Sequence, residues 1–133
     1  MPETILIADD EPNILLSLDY LMRREGFEVL QARDGNEALA LLQRERPRLV
    51  LLDVMMPGKS GHEVLAALRA DEAQAAQRGD ASRGHTLVLM LSAKGRDTDV
   101  AKGMGLGADA YVTKPFSTQA LVAQVRALLA GAP

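Results

Sequence analysis

The chain has no cysteine and no tryptophan, and aromatic side chains make up 3% of it. Without thiols there can be no disulfide framework and no thiolate nucleophile, a usage that fits a reducing cytoplasm. Scarce aromatics argue against a platform on which nucleobases stack. Neither sign of charge dominates: 15 Lys and Arg stand against 18 Asp and Glu, a net charge of −3. No basic stripe runs along the chain, which argues against direct binding of nucleic acid. Long apolar runs are also missing, and the longest falls far short of the ~20 residues that cross a bilayer. The N-terminus Met1-Pro2-Glu3-Thr4 has neither the basic nor the apolar region of a signal peptide. A cytoplasmic protein without a membrane contact is the expectation.

What remains is ordinary globular material, with 133 residues that are 47% hydrophobic and 25% charged. That is enough for one domain, residues 1–133, with a core of its own. Short apolar runs alternate with helical stretches. Thr4–Ala8, Glu28–Ala32, Leu49–Leu52, Leu87–Leu91 and Ala110–Thr113 read as strands, the second more polar and so nearer an edge. Between and after them, Pro12–Glu25, Asp34 to about Glu45, Ser60 to about Gln77, a weaker one over about Asp97–Met104, and Ser117–Leu129 read as helices. Asp34-Gly35-Asn36-Glu37 and Ser60-Gly61-His62-Glu63 are capping-box patterns. Gly103, Gly105 and Gly107 suggest that the fourth helix is short and ends in a loose turn. Alternating strands and helices of this kind imply an α/β fold: one doubly wound, five-stranded parallel sheet covered on both faces by five helices.

Polar residues punctuate the ends of these strands. Asp9-Asp10 follows the first, Asp53 the third, Ser92 the fourth and Lys114 the fifth. In a parallel sheet such ends share one edge, so four distant stretches would bring three carboxylates, a hydroxyl and an ammonium into one crevice. Two like charges ~4 Å apart repel by ~4 kcal/mol at an effective dielectric near 20, and one lysine cannot neutralise three carboxylates. A hard divalent cation can, and oxygen-only ligands favour Mg²⁺. His62 and His85 are isolated in the sequence, unsuited to zinc, and read as surface or capping residues. A cation with open positions, a lysine and a hydroxyl suit a transferring phosphoryl group, with the Asp53 carboxylate as nucleophile. Taken singly, each residue has a plainer reading: a dipole-complementing acidic pair, an Asx turn, a loop serine, a solvated lysine. Their joint occurrence is what favours chemistry.

Asp9-Asp10-Glu11-Pro12, Asp53-Val54-Met55-Met56-Pro57-Gly58, Leu91-Ser92-Ala93 and Gly107-Ala108-Asp109-Ala110-Tyr111-Val112-Thr113-Lys114-Pro115-Phe116 together resemble the receiver domains of two-component response regulators. The resemblance covers essentially the whole chain, in order. It implies a flavodoxin-like sheet in strand order 2-1-3-4-5. It further implies that Asp53 is the phosphoacceptor, taking its phosphoryl group from a phosphohistidine on a histidine kinase or histidine phosphotransfer protein. Asp10, Asp53 and the backbone carbonyl of Met55 would hold Mg²⁺, with Asp9 helping directly or through water. Lys114 would contact the phosphoryl oxygens. Ser92 would be the switch hydroxyl, Ala93 the small neighbour that leaves room, and Tyr111 the switch aromatic that turns inward. A cis Lys114–Pro115 peptide is implied as well.

The chain departs from the family pattern in places. The connection around Gly79–Gly84 is long, and reads as a tolerated insertion in preference to a partner surface. Ala110, Ala120 and Gln124 stand where charged residues cross-link the dimers of one receiver group, so a monomer or weak dimer is expected. Met55 and Lys94, each two residues beyond a site position, offer no group to orient water, so self-dephosphorylation should be slow. Alternatives are a Mg²⁺-dependent aspartate-nucleophile phosphohydrolase, a nucleotide or flavin binder, or a pseudo-receiver that binds partners without phosphorylation. The first would want a general acid at Met55 and a substrate-covering cap. The second would want a phosphate loop where Asp9-Asp10-Glu11 stands. As a receiver the chain acts only on its own Asp53 and is no enzyme in the turnover sense, serving to control an output protein or a relay.

Overall fold

The computed structural model describes residues 2–80, 84–93 and 97–131, and of 97–99 the backbone alone. Strands β1 (Thr4–Ala8), β2 (Glu28–Ala32), β3 (Leu49–Asp53), β4 (Leu87–Ala93) and β5 (Ala110–Lys114) alternate with helices α1 (Pro12–Arg24), α2 (Gly35–Glu45), α3 (Gly61–Gln77), α4 (Asp97–Leu106) and α5 (Thr118–Gly131). The strands form one sheet in the order β2-β1-β3-β4-β5, every pair parallel. This is the architecture expected from the alternating pattern, with polar β2 at an edge.

Alternation along the strands decides which helices cover which face. Ile5, Ile7, Leu49, Leu51, Leu87, Leu89 and Leu91 point to one side and pack with Leu15, Leu18 and Met22 of α1 and Leu121 and Val125 of α5. Leu6, Ala8, Val50, Leu52, Val88 and Met90 point to the other and pack with Ala38 and Leu42 of α2, Val64, Leu65 and Leu68 of α3, and Leu106. β3 is buried along its whole length. Side chains such as Leu51 and Leu52, fully removed from water, each contribute roughly 1.5–3 kcal/mol. The central strands are thereby rigid supports for whatever stands at their ends.

Helices α2 and α3 start where the capping patterns predict. Asp34 Oδ1 accepts from the Glu37 amide at 2.8 Å, and Ser60 and Glu63 form a reciprocal capping box at the head of α3. Helix α4 differs from the expectation. It runs through Gly103 and Gly105 to Leu106 and is stopped by Gly107, whose φ of +103° favours glycine. Packing supplies the reason: Gly103 is buried against Tyr111, so its lack of a side chain serves a contact and does not end the helix. α3 reaches Gln77 as expected. Of the Gly79–Gly84 connection, residues 81–83 lie outside the described residues.

At the edge of the sheet where β4 begins, an ionic clasp ties α3 to that strand. The Arg69 guanidinium donates to Glu72 at 2.7 Å, Asp109 at 3.0 Å, and the carbonyls of Thr86 and Gly107. The two carboxylates in turn accept from the Thr86 and Val88 amides, at 2.7 and 2.8 Å. His85, exposed as the sequence suggested, lies 3.2 Å from Asp109. Every polar group in this clasp has a partner, the condition under which burying charge is tolerable.

Candidate functional site

The opposite edge of the sheet carries the polar strand ends. β1 and β3 pair with Ala8 opposite Leu52, so Asp9 and Asp53 stand side by side one step further on. β4 and β5 pair Ser92 with Thr113 and Ala93 with Lys114. Asp53 belongs to β3 and Lys114 to β5 as their last residues, one step beyond the sequence-based ends. Parallel pairing thus turns four distant stretches into one row.

The carboxylates converge. One oxygen each from Asp9, Asp10 and Asp53 lie within 4.8 Å of one another. Asp9 is fully buried, Asp53 is 5% exposed and Asp10 faces solvent. Local backbone bonds hold the two buried ones: the Glu11 amide donates to Asp9 Oδ1 at 2.9 Å, and the Met55 amide reaches Asp53 Oδ1 at 3.4 Å. Lys114 arrives from β5 as the counter-charge. Its Nζ lies 2.9 Å from Asp9 Oδ2, 3.4 Å from Asp53 Oδ1 and 3.9 Å from Glu11 Oε1.

Burial pushes the Asp53 carboxyl up from 3.8 to about 6, and the Asp9 charge adds to it, against a smaller opposing pull from Lys114. For Lys114, burial on its own pulls the ammonium down. The hydrogen bond to Asp9 and the charges of Asp53 and Asp9 outweigh it together, and hold the ammonium above its usual value. One lysine therefore compensates the cluster only in part. Three convergent carboxylate oxygens, two of them buried, with Asp10 open to solvent, fit a hard divalent cation such as Mg²⁺ by donor type and charge.

The other residues predicted from the sequence surround this row. Ser92 is buried, and its hydroxyl lies 3.4 Å from the Ala93 carbonyl oxygen. Met55 is 57% exposed. The Lys114–Pro115 peptide is cis. Lys94 lies outside the described residues. Tyr111 is half-buried on the face of α3 and α4, where a Cβ on Gly103 would stand 2.7 Å from its Cε2 and 2.9 Å from its Cζ.

His62 corrects the sequence reading. It is no surface residue: it is 5% exposed, and its Nε2 makes a 3.1 Å hydrogen bond with the Tyr111 hydroxyl. A signal for burial was present, because His62 stands three residues before Leu65 and six before Leu68, on the apolar stripe of α3. The partner was not legible, because Tyr111 comes from a strand 49 residues further on. Next to it, Gly61 packs against the Asp53 backbone so closely that a Cβ would sit 3.0 Å from the Asp53 carbonyl carbon.

Compared with known families, residues 5–126 match the response regulator receiver domain. Solved structures agree. A protein described as a response regulator of Chloroflexus aurantiacus J-10-fl is 32% identical, with 98% of this chain and 99% of that one covered at a TM-score of 0.85. The Vibrio cholerae chemotaxis protein CheY4 is 28% identical, covering 96% and 98%, at a TM-score of 0.82. The receiver domain of a signal transduction histidine kinase from Syntrophus aciditrophicus is 29% identical, covering 97% and 91%, at 0.80. No helix among the described residues is long and apolar enough to cross a membrane.

Proposed function

The chain belongs to the response-regulator receiver family, and on that premise we propose that it accepts a phosphoryl group onto Asp53 from a phosphohistidine of a histidine kinase or histidine phosphotransfer protein. The observation that carries this reading is the convergence of the Asp9, Asp10 and Asp53 carboxylates on one point, with the Lys114 ammonium 2.9 Å from Asp9 and 3.4 Å from Asp53. Two-component signalling is the setting of such domains.

In this reading an Asp53 carboxylate oxygen attacks phosphorus, an O–P bond forms, and the P–N bond to the imidazole breaks with its electron pair leaving on nitrogen. Asp10, Asp53 and the Met55 carbonyl would hold Mg²⁺, with Asp9 directly or through water. When bound, the ion supplies positive charge against the carboxylates and the incoming phosphoryl oxygens. Asp9 orients Lys114, whose ammonium is held firmly charged by its acidic neighbours. Lys114 would take part of the oxygen charge of the transferring group. Buried Ser92 would donate to a phosphoryl oxygen, and Tyr111 would report the change to the face of α3 and α4. Exposed Met55 supplies no acid or base for hydrolysis. That favours a long-lived acyl phosphate that shifts the balance between two conformations and so controls a partner protein or relay. The chemistry is confined to the chain's own carboxylate, without turnover of an external substrate.

The test is intact mass after incubation with acetyl phosphate and Mg²⁺. One added phosphoryl group, absent in Asp53→Asn and in the metal-free sample, is the expected result. A folded protein that binds Mg²⁺ and gains no mass would sink the reading in favour of a phosphorylation-independent binding module.

A further inference from the structure

We propose that His62 is a positioning residue for Tyr111. Its imidazole holds the tyrosine ring on the α3/α4 side through the Nε2–Oη hydrogen bond, and thereby favours the inward arrangement before any phosphoryl group arrives. This rests on the receiver reading for its consequence, though not for the contact itself.

Three observations carry it. First, His62 is in a fixed place: it is 5% exposed, and lies one residue inside a helix whose first turn is locked by the Ser60–Glu63 capping box. An imidazole so placed has little rotamer freedom left to lose when it binds a partner. Second, the tyrosine hydroxyl is met at 3.1 Å by Nε2, while its ring lies over Gly103 of α4, where any side chain would collide. A seat closed on one side by a glycine and ended by a polar group suits an aromatic with a hydroxyl tip. Third, His62 is fastened to the reacting end of β3. Gly61 donates its amide to the Val54 carbonyl at 2.8 Å and packs on the Asp53 backbone. A movement of the Asp53–Val54 backbone therefore reaches Tyr111 through two residues, Gly61 and His62, and two hydrogen bonds.

A histidine in this seat adds a polar hold that an apolar residue would lack. A net intramolecular hydrogen bond shifts a two-state balance about threefold to tenfold. If phosphoryl loading favours the inward ring, linkage requires that His62 also favour occupancy of Asp53, by no more than that factor.

The contact is tested on unphosphorylated, metal-free protein. Tyr20 lies on α1 and is 68% exposed, so Tyr20→Phe leaves Tyr111 as the single tyrosine to carry a 3-fluoro label. In that background His62→Leu should move the fluorine resonance toward its solvent-exposed position, a threefold to tenfold fall in the inward-to-outward ratio. His62→Gln, which keeps a donor and an acceptor, should restore it. An unmoved resonance in the leucine variant, or equal displacement in both variants, overturns the inference. Should His62→Leu fail to fold, Tyr111→Phe decides. A change in the His62 ring-nitrogen shifts with those of His85 unmoved upholds the contact, and unchanged His62 shifts overturn it. The consequence is read with beryllofluoride and Mg²⁺, an equilibrium mimic of the loaded state. His62→Leu should bind it more weakly, by up to about tenfold, and equal affinity overturns the coupling. Failure of the wild-type protein to bind beryllofluoride counts against the phosphoacceptor reading alone, and the fluorine comparison still decides the contact.

Discussion

The Lys114 ammonium makes its shortest ionic contact with Asp9, 2.9 Å away and 105 residues distant in the chain. Asp53 is the second partner, at 3.4 Å. Lys114 therefore both screens Asp53 and is itself oriented by the neighbouring carboxylate of Asp9. Removing it should have effects of opposite sign. Lys114→Met takes one positive charge from beside three carboxylates, so Mg²⁺ should bind more tightly, by severalfold. Loading from acetyl phosphate should nevertheless slow by about 100-fold, because a preorganised cation is missing where oxygen charge develops. Metal titration and intact-mass time courses on the same variant check the two signs.

Asp53 sets a pH dependence for the metal-free protein. Its folded value is raised to about 6 from 3.8. Between those values the folded state binds more protons than the unfolded state, so stability falls as pH rises through that window. Below it Asp53 contributes nothing, and above it the cost is complete, at most about 3 kcal/mol. Asp53→Asn in EDTA should therefore be more stable than wild type by about 2 kcal/mol at about pH 8, and the difference should vanish by about pH 4. Mg²⁺ should close the gap at high pH by stabilising wild type alone. Denaturant melts at the two pH values, with and without metal, give the answer. A gap that widens toward acid would contradict the assignment.

Gly103 guards the seat of Tyr111. An added Cβ would stand 2.7 Å from the ring, which can rotate away more easily than the helix can move. Gly103→Ala should accordingly cost little stability, since alanine also favours the helix by roughly 1 kcal/mol. It should expel Tyr111 toward solvent, as its fluorine or ring-proton resonances would record. A Tyr111 left in place would mean that α4 yields instead.

Arg69 offers a contrast, remote from the acidic row. Arg69→Met takes the guanidinium from Glu72 and Asp109, whose side chains are only 10% and 23% exposed, and leaves the Thr86 and Gly107 carbonyls without this donor. The loss should be about 2–3 kcal/mol, less than for a fully buried pair. Acetyl phosphate labelling of the folded variant should match wild type, because the clasp sits at the far end of β4. Thermal unfolding and mass labelling separate the two effects.

The sequence by itself determined the kind of elements, their order, and which residues end the strands. Apolar runs and helical stripes are local patterns, and burial on two faces leaves a parallel sheet few arrangements. Thr4–Ala8 and Glu28–Ala32 were legible to the residue because charge or turn signals flank both runs. The acidic row was legible for the same reason, since parallel strands place like ends on one edge. Tertiary structure alone decided what a one-dimensional pattern cannot carry. It seated Lys114 closer to Asp9 than to Asp53, and it carried α4 past two glycines because one of them faces a tyrosine ring. It also turned His62 from an apparent cap into the buried partner of Tyr111. In each case the deciding contact joins elements far apart in the chain, and its geometry depends on how strand and helix pack, which no local run of residues encodes.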